Sequence, residues 1–242
     1  MRIKAVVFDL DGTIASFNLD YMTVRAEVRA YLIRNGIPTS VLATNESIFD
    51  MLKKAEIFFK NNGKSGRAFN KVRKEASKIA EKYELEAAKT TELLSGVPET
   101  LENLKRIGLK IGLCTINSEK STSYILKRFE ISKFFDAVTP RDKVKLVKPN
   151  TEHLEATLKA LHVAPGQAIF VGDGTRDMRC ARELKVIAVG IPTGISSEND
   201  LMNSGANYFI SSITDLPELV QTINKGTRNR TKKLRSKSSA RN

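Results

Sequence analysis

Short apolar runs that alternate with helical periods confine this chain to few folds. Ile3–Phe8, Lys110–Cys114, Ala168–Val171, Val186–Gly190 and Tyr208–Ile210 read as strands. Between them, apolar residues recur at three- and four-residue spacing. Leu101, Leu104 and Ile107 form one such stripe, closed by Gly108, and Leu154, Leu158 and Leu161 form another. Strands that alternate with helices predict an α/β fold with a doubly wound parallel sheet. One stretch breaks the rhythm. From Ile14 to about Leu94 no strand pattern occurs, and three helical periods follow one another. They run through Val24, Val28, Tyr31 and Leu32, then Ile48, Met51, Ala55 and Phe59, then Val72, Ala76, Ile79 and Tyr83. The expected organisation is therefore a core of residues 1–14 and 95–224, with an all-helical cap over 15–94.

The first strand runs straight into two acids, in Val6-Val7-Phe8-Asp9-Leu10-Asp11-Gly12-Thr13. Residues two apart on an extended segment point the same way. Two carboxylates held that close need a cation or a shared proton. Further polar residues fall at or just beyond strand ends. They are Thr115 with Asn117, Lys148 before Pro149, and Asp173 with Asp177 in Gly172-Asp173-Gly174-Thr175-Arg176-Asp177. In a parallel sheet such ends share the edge where ligands bind.

In these residues the chain resembles haloacid dehalogenase (HAD) superfamily phosphatases, with a helical cap inserted after the first motif. Asp9-Leu10-Asp11-Gly12-Thr13 matches the first motif, Thr115 the second, Lys148 the third, and Gly172-Asp173 with Asp177 the fourth. The resemblance covers about residues 1–220 and implies a Rossmann-like core. It also implies roles. Asp9 would attack phosphorus, and Asp11 would protonate the leaving group and then deprotonate water. Thr115, Lys148, Asn117 and the backbone at Asp11-Gly12 would hold the phosphate. Mg²⁺ would sit among Asp9, the Asp11 carbonyl, Asp173 and Asp177, the last through water. Two departures stand out: Ile116 separates Thr115 from Asn117, and Val147 occupies the usual glycine position before Lys148.

Within the family, an acid at position 11 points to phosphoryl transfer rather than dehalogenation. A phosphoglycolate-phosphatase-like hydrolysis of a small phosphorylated metabolite is expected, with a sugar phosphomutase as the alternative. The cap would set specificity and close over the reaction, with Arg25, Arg29, Lys53 and Lys54 as candidate contacts for an anionic substrate.

Composition narrows the remaining choices. Two cysteines, Cys114 and Cys180, without metal-type spacing fit a reducing, cytoplasmic setting and read as inert buried thiols. No apolar run is long enough to span a bilayer, and the chain starts directly with a strand, so neither a membrane anchor nor a signal peptide is expected. Only two histidines occur, His153 and His162; both read as surface residues. The formal charge of +13 is uneven, because Lys225–Asn242 holds eight basic residues and no acid. That tail is expected to be disordered and is a candidate nonspecific arm for nucleic acid or another polyanion.

Overall fold

The computed structural model describes residues 2–226. The chain divides into two compact units. One comprises the residues up to Phe17 together with those from Thr91 onward, and the other is Asn18–Thr90. The basic tail beyond Gly226 lies outside the described residues.

The first unit is built on six parallel strands: β1 Ala5–Phe8, β2 Lys110–Cys114, β3 Ala137–Thr139, β4 Ala168–Gly172, β5 Ile187–Gly190 and β6 Tyr208–Phe209. Their order across the sheet is β3-β2-β1-β4-β5-β6. The chain thus starts in the middle and winds outward in both directions. The winding reverses between β1 and β4, where Ala5 pairs with Ala168 and Phe8 with Val171. Every β1 and β4 residue is buried, as both faces of a central parallel strand require. Helices α4 Val97–Arg106, α5 Glu119–Arg128, α6 Thr151–Leu161, α7 Thr175–Leu184 and α8 Glu198–Ser204 connect the strands. One core cluster joins Val7, Phe170 and Ala188 of the sheet to Leu154, Leu158 and Met178 of α6 and α7.

β3 escaped the sequence reading. It is three residues long, and Pro140 follows it at once. A run that short carries no detectable alternation.

The second unit, which precedes helices α4–α8 in the chain, contains three α-helices: α1 Tyr21–Arg34, α2 Ile48–Asn61 and α3 Gly66–Thr90. Asp20 caps α1 by accepting from the Thr23 amide, and Ser47 caps α2 by accepting from the Asp50 amide. The stripes meet in a separate core of Val28, Leu32, Met51, Ala55, Phe69 and Ala76. Within it the Phe59 and Phe69 rings pack edge to face at 5.9 Å. Residues on either side of this unit belong to the sheet unit through short ladders. Ala15 bridges Leu93, the Ser16 amide donates to Glu92 O, and the Leu94 amide donates to Ile14 O. No helix among the described residues is long and apolar enough to cross a membrane.

Candidate active site

The topological switch point concentrates charge. β1 delivers Asp9 one residue past its end, and β4 delivers Asp173 in the same way on the neighbouring strand. Asp177 follows on the first turn of α7, where its Oδ2 accepts from the Gly174 amide at 3.1 Å. The side chains of Asp9, Asp173 and Asp177 converge, with one ligand oxygen from each lying within 4.8 Å of the others.

Lys148 reaches the same point from the loop before α6. Its Nζ lies 2.7 Å from Asp9 Oδ1 and 2.7 Å from Asp177 Oδ1, and donates to Cys114 O at 2.8 Å. The side chain is almost fully buried. Burial pulls an ammonium pKa down, but the charges on Asp177 and Asp9 outweigh it and hold Lys148 above its usual range. Lys145, its neighbour in sequence, is exposed.

One lysine does not neutralise three carboxylates. Burial, reinforced by the charges on Asp9 and Asp177, pushes the Asp173 carboxyl up to about 8. Burial likewise raises Asp177, to about 6, against the opposing pull of Lys148. Such a hard-oxygen cluster with a deficit of positive charge suits a divalent cation. Steric detail points the same way. Gly12 sits at φ +74°, and a Cβ there would lie 2.6 Å from Asp173 Oδ2. A Cβ on Gly194 would collide with the same oxygen. Asp173 is therefore slotted between two glycines, and its Oδ2 also accepts from the Ile195 amide at 3.2 Å.

The phosphate-binding candidates stand at the end of β2. The Thr115 amide continues the sheet by donating to Thr139 O at 3.2 Å, and the Thr115 hydroxyl accepts from the Asn117 amide at 3.1 Å. That bond directs the hydroxyl proton away from Asn117. Ser118 then caps α5 by accepting from the Ser121 amide. Asp11 is half-buried in the tight turn after β1, where the Gly12 amide donates to Ala15 O at 2.7 Å. Its side chain is not one of the three clustered carboxylates.

Three supporting residues went unread in the sequence. His153 was expected at the surface, but it is wholly buried. Its Nε2 donates to Thr139 O at 3.0 Å, and its Nδ1 accepts from the Lys148 amide at 3.4 Å. These bonds tie the end of β3 to the lysine. Burial, aided by the Lys148 charge, lowers its pKa to about 4, so the ring is neutral. Arg141 is buried too and donates to Ile116 O at 3.0 Å, bracing the turn that carries Thr115 and Asn117. Thr193, after β5, donates its hydroxyl to Gly12 O at 2.5 Å. The Thr193-Gly194 pair after an apolar strand was the available signal for this last loop. His162 is exposed, as expected, and both cysteines are buried free thiols, with Cys180 pushed up to about 12 by burial.

Three of the four candidate substrate contacts in the helical unit have partners of their own. The Arg29 Nε donates to Leu42 O at 3.1 Å, Lys54 pairs with Glu46 at 2.6 Å, and Arg25 lies over the Tyr21 ring. Lys53 is exposed.

The profile of the haloacid dehalogenase-like hydrolase family matches residues 6–191. The chain is similar to pyrophosphatase PpaX of Halalkalibacterium halodurans, with 26% identity over 229 residues covering 91% of this chain and 98% of that protein. Among solved structures, its fold resembles that of a predicted phosphoglycolate phosphatase from Haemophilus somnus, with a TM-score of 0.61 and 19% identity over 90% of this chain and 98% of the other. It also resembles a predicted phosphatase from Clostridium acetobutylicum, with a TM-score of 0.63 and 21% identity over 92% of this chain and all of the other. With a family profile spanning most of the sequence and an acid cluster at the sheet's switch point, the chain belongs to the haloacid dehalogenase-like hydrolase family.

Proposed function

We propose that this protein is a Mg²⁺-dependent phosphatase that hydrolyses a small phosphorylated metabolite through a phosphorylated Asp9. The observation that carries this reading is the Lys148 ammonium held 2.7 Å from Asp9, inside a cluster that also contains Asp173 and Asp177. A free nucleophile needs one oxygen exposed to the substrate. The Asp9 side chain keeps 13% of its surface exposed, whereas that of Asp177 keeps 3% and Asp173 is likewise almost closed off.

In the first step an Asp9 carboxylate oxygen bonds to phosphorus, and the bond from phosphorus to the leaving oxygen breaks. Asp11 gives its proton to that leaving oxygen. In the second step Asp11 takes a proton from water, the water oxygen bonds to phosphorus, and the bond to Asp9 breaks. Free phosphate leaves, and both aspartates return to their starting states. Lys148 orients Asp9 and offsets the charge that accumulates on the phosphoryl oxygens. The Thr115 hydroxyl, with the backbone amides near Gly12 and Asn117, completes the phosphate cradle. Asp9, Asp173, Asp177 and the Asp11 carbonyl would hold Mg²⁺, which supplies Lewis-acid stabilisation of phosphoryl charge when bound.

Both phosphate monoesters and pyrophosphate fit this chemistry, since either presents a terminal phosphoryl group. The relatives named for pyrophosphate make it the first compound to assay, beside phosphoglycolate and sugar phosphates. The purified chain is expected to release inorganic phosphate with Mg²⁺ and to stop when the metal is chelated. Interconversion of sugar phosphates without phosphate release would establish a mutase instead.

A further inference from the structure

Helix α3 carries a feature with no part in phosphoryl transfer. Its buried face is formed by Phe69, Val72, Ala76 and Ala80, at helical spacing. On the opposite face, Arg67, Lys71, Lys74, Lys78 and Lys82 recur at intervals of three and four residues, and all five are exposed. At 100° per residue they fall within a narrow strip centred about 180° from the buried face. The strip extends for about 22 Å at 1.5 Å per residue. No acid occurs between Glu56 and Glu75, while Lys60 and Lys64 precede the helix. Glu75 is the first counter-charge, and it pairs with Lys78 at 2.8 Å.

We propose that this strip is a docking surface for duplex nucleic acid, held through the phosphate backbone. Charge complementarity carries the assignment. Five cations spread over about 22 Å on one helix face meet phosphates of both strands of a duplex, which carries one negative charge per about 1.7 Å of its axis. Side-chain composition selects this occupant over two others. A bilayer surface favours aromatic or aliphatic residues beside the cations, to enter the headgroup boundary. None of the exposed large hydrophobic residues lies on α3. A single strand favours exposed aromatic platforms for its bases, which the strip also lacks. Binding is therefore independent of sequence and steeply sensitive to salt. It does not depend on the phosphatase reading, because none of the five residues belongs to the catalytic cluster.

The test measures binding of a labelled 20-base-pair DNA duplex of arbitrary sequence to the full chain, by fluorescence anisotropy at several salt concentrations. Five phosphate contacts predict a loss of about 10²–10³-fold between about 50 and 200 mM salt. The triple variant Lys71→Gln, Lys74→Gln, Lys78→Gln should bind at least about tenfold more weakly at the lower salt. The slope of log affinity against log salt should fall by about 3. Hydrolysis of an aryl phosphate by this variant should be unchanged, which shows that it is folded. Replacing the same three lysines with arginine should preserve duplex binding. A control with equal loss of charge neutralises the exposed Lys127, Lys133 and Lys159 of the other unit. Equal weakening by the control would overturn the proposal, because net charge would then suffice. Full duplex affinity in the α3 variant would also overturn it, whether or not that variant loses binding to phosphatidylserine vesicles.

Discussion

The two units of this protein treat charge in opposite ways. The sheet unit buries it: Lys148, Asp173, Asp177 and Arg141 are each under 10% exposed and lie at or beside one end of the central strands. The helical unit Asn18–Thr90 keeps its core apolar and sets most of its charge outward, with Glu84 as a buried exception. A buried charge costs several kcal/mol unless it is paired, so a chain retains a cluster of them where chemistry needs it. A charged helix face costs almost nothing and serves solubility or long-range attraction. The difference locates the sensitive positions: about the switch point each buried charge depends on several others, whereas the exposed charges of α3 are screened by solvent and each contributes little to stability.

The largest effect that would sharpen this contrast comes from Lys148. Replacing it with Met leaves Asp9 and Asp177 facing each other without their cation. Activity should fall about 10³-fold or more, by analogy with the loss of an electrostatic stabiliser. Breaking a buried ion pair should also cost about 3–5 kcal/mol of stability, read from denaturant unfolding. If Lys148→Met matches an α3 lysine substitution in stability, the contrast fails.

Asp11→Asn should slow turnover by about 10²–10⁴-fold, the usual range for a general acid–base group, with the fold intact. Its steady-state rate on an aryl phosphate provides the check.

The folded pKa of His153 lies near 4, below its unfolded value of about 6.5. Below pH 6.5 the unfolded chain takes up a proton that the folded chain refuses until about pH 4. Stability contributed by this residue is therefore complete above pH 6.5 and is lost as the pH falls toward 4. The loss is about 3 kcal/mol in total. Asp173 and Asp177, whose folded values are raised, act in the opposite sense over overlapping ranges, so the relevant quantity is a difference. The stability gap between the parent chain and His153→Gln should narrow from pH 7 to pH 4.5. A gap that stays constant would exclude a buried neutral imidazole.

The smallest effect should come from Thr193→Val, which removes one hydrogen bond to the Gly12 carbonyl. A loss of about 1 kcal/mol and a modest drop in kcat are expected, the first from thermal unfolding and the second from initial rates.

What could be read in the sequence follows the same division. The helical unit was legible because the stripes through Val28, Met51 and Ala76 repeat over many turns. The sheet was legible where strands are wholly apolar, as in β1 and β4. Its three-residue β3 was not, because so short a strand has no period. Asp9, Lys148 and Asp173 announced themselves through motif spacing at strand ends. His153 did not, since a histidine between Glu152 and Leu154 on an amphipathic helix looks like any polar residue. Only its partners, Thr139 O and the Lys148 amide, reveal its place, and both come from pairings that sequence distance conceals. Thr193 and Arg141 were hidden for the same reason. Each donates to a backbone carbonyl of a different segment; the Thr193-Gly194 pair marks its loop in the sequence, but neither partner can be read from local pattern.

The proposed mechanism requires that Asp9 become phosphorylated during turnover. The direct measurement is an acid-quenched single turnover with Mg²⁺ and a reactive aryl phosphate, followed by mass analysis of the peptide containing Asp9. One added phosphoryl group is expected on Asp9 in the parent chain, trapped in larger amount in Asp11→Asn, and neither adduct nor turnover in Asp9→Asn. Sustained phosphate release by Asp9→Asn, or a phosphoryl group found on another residue, would contradict it.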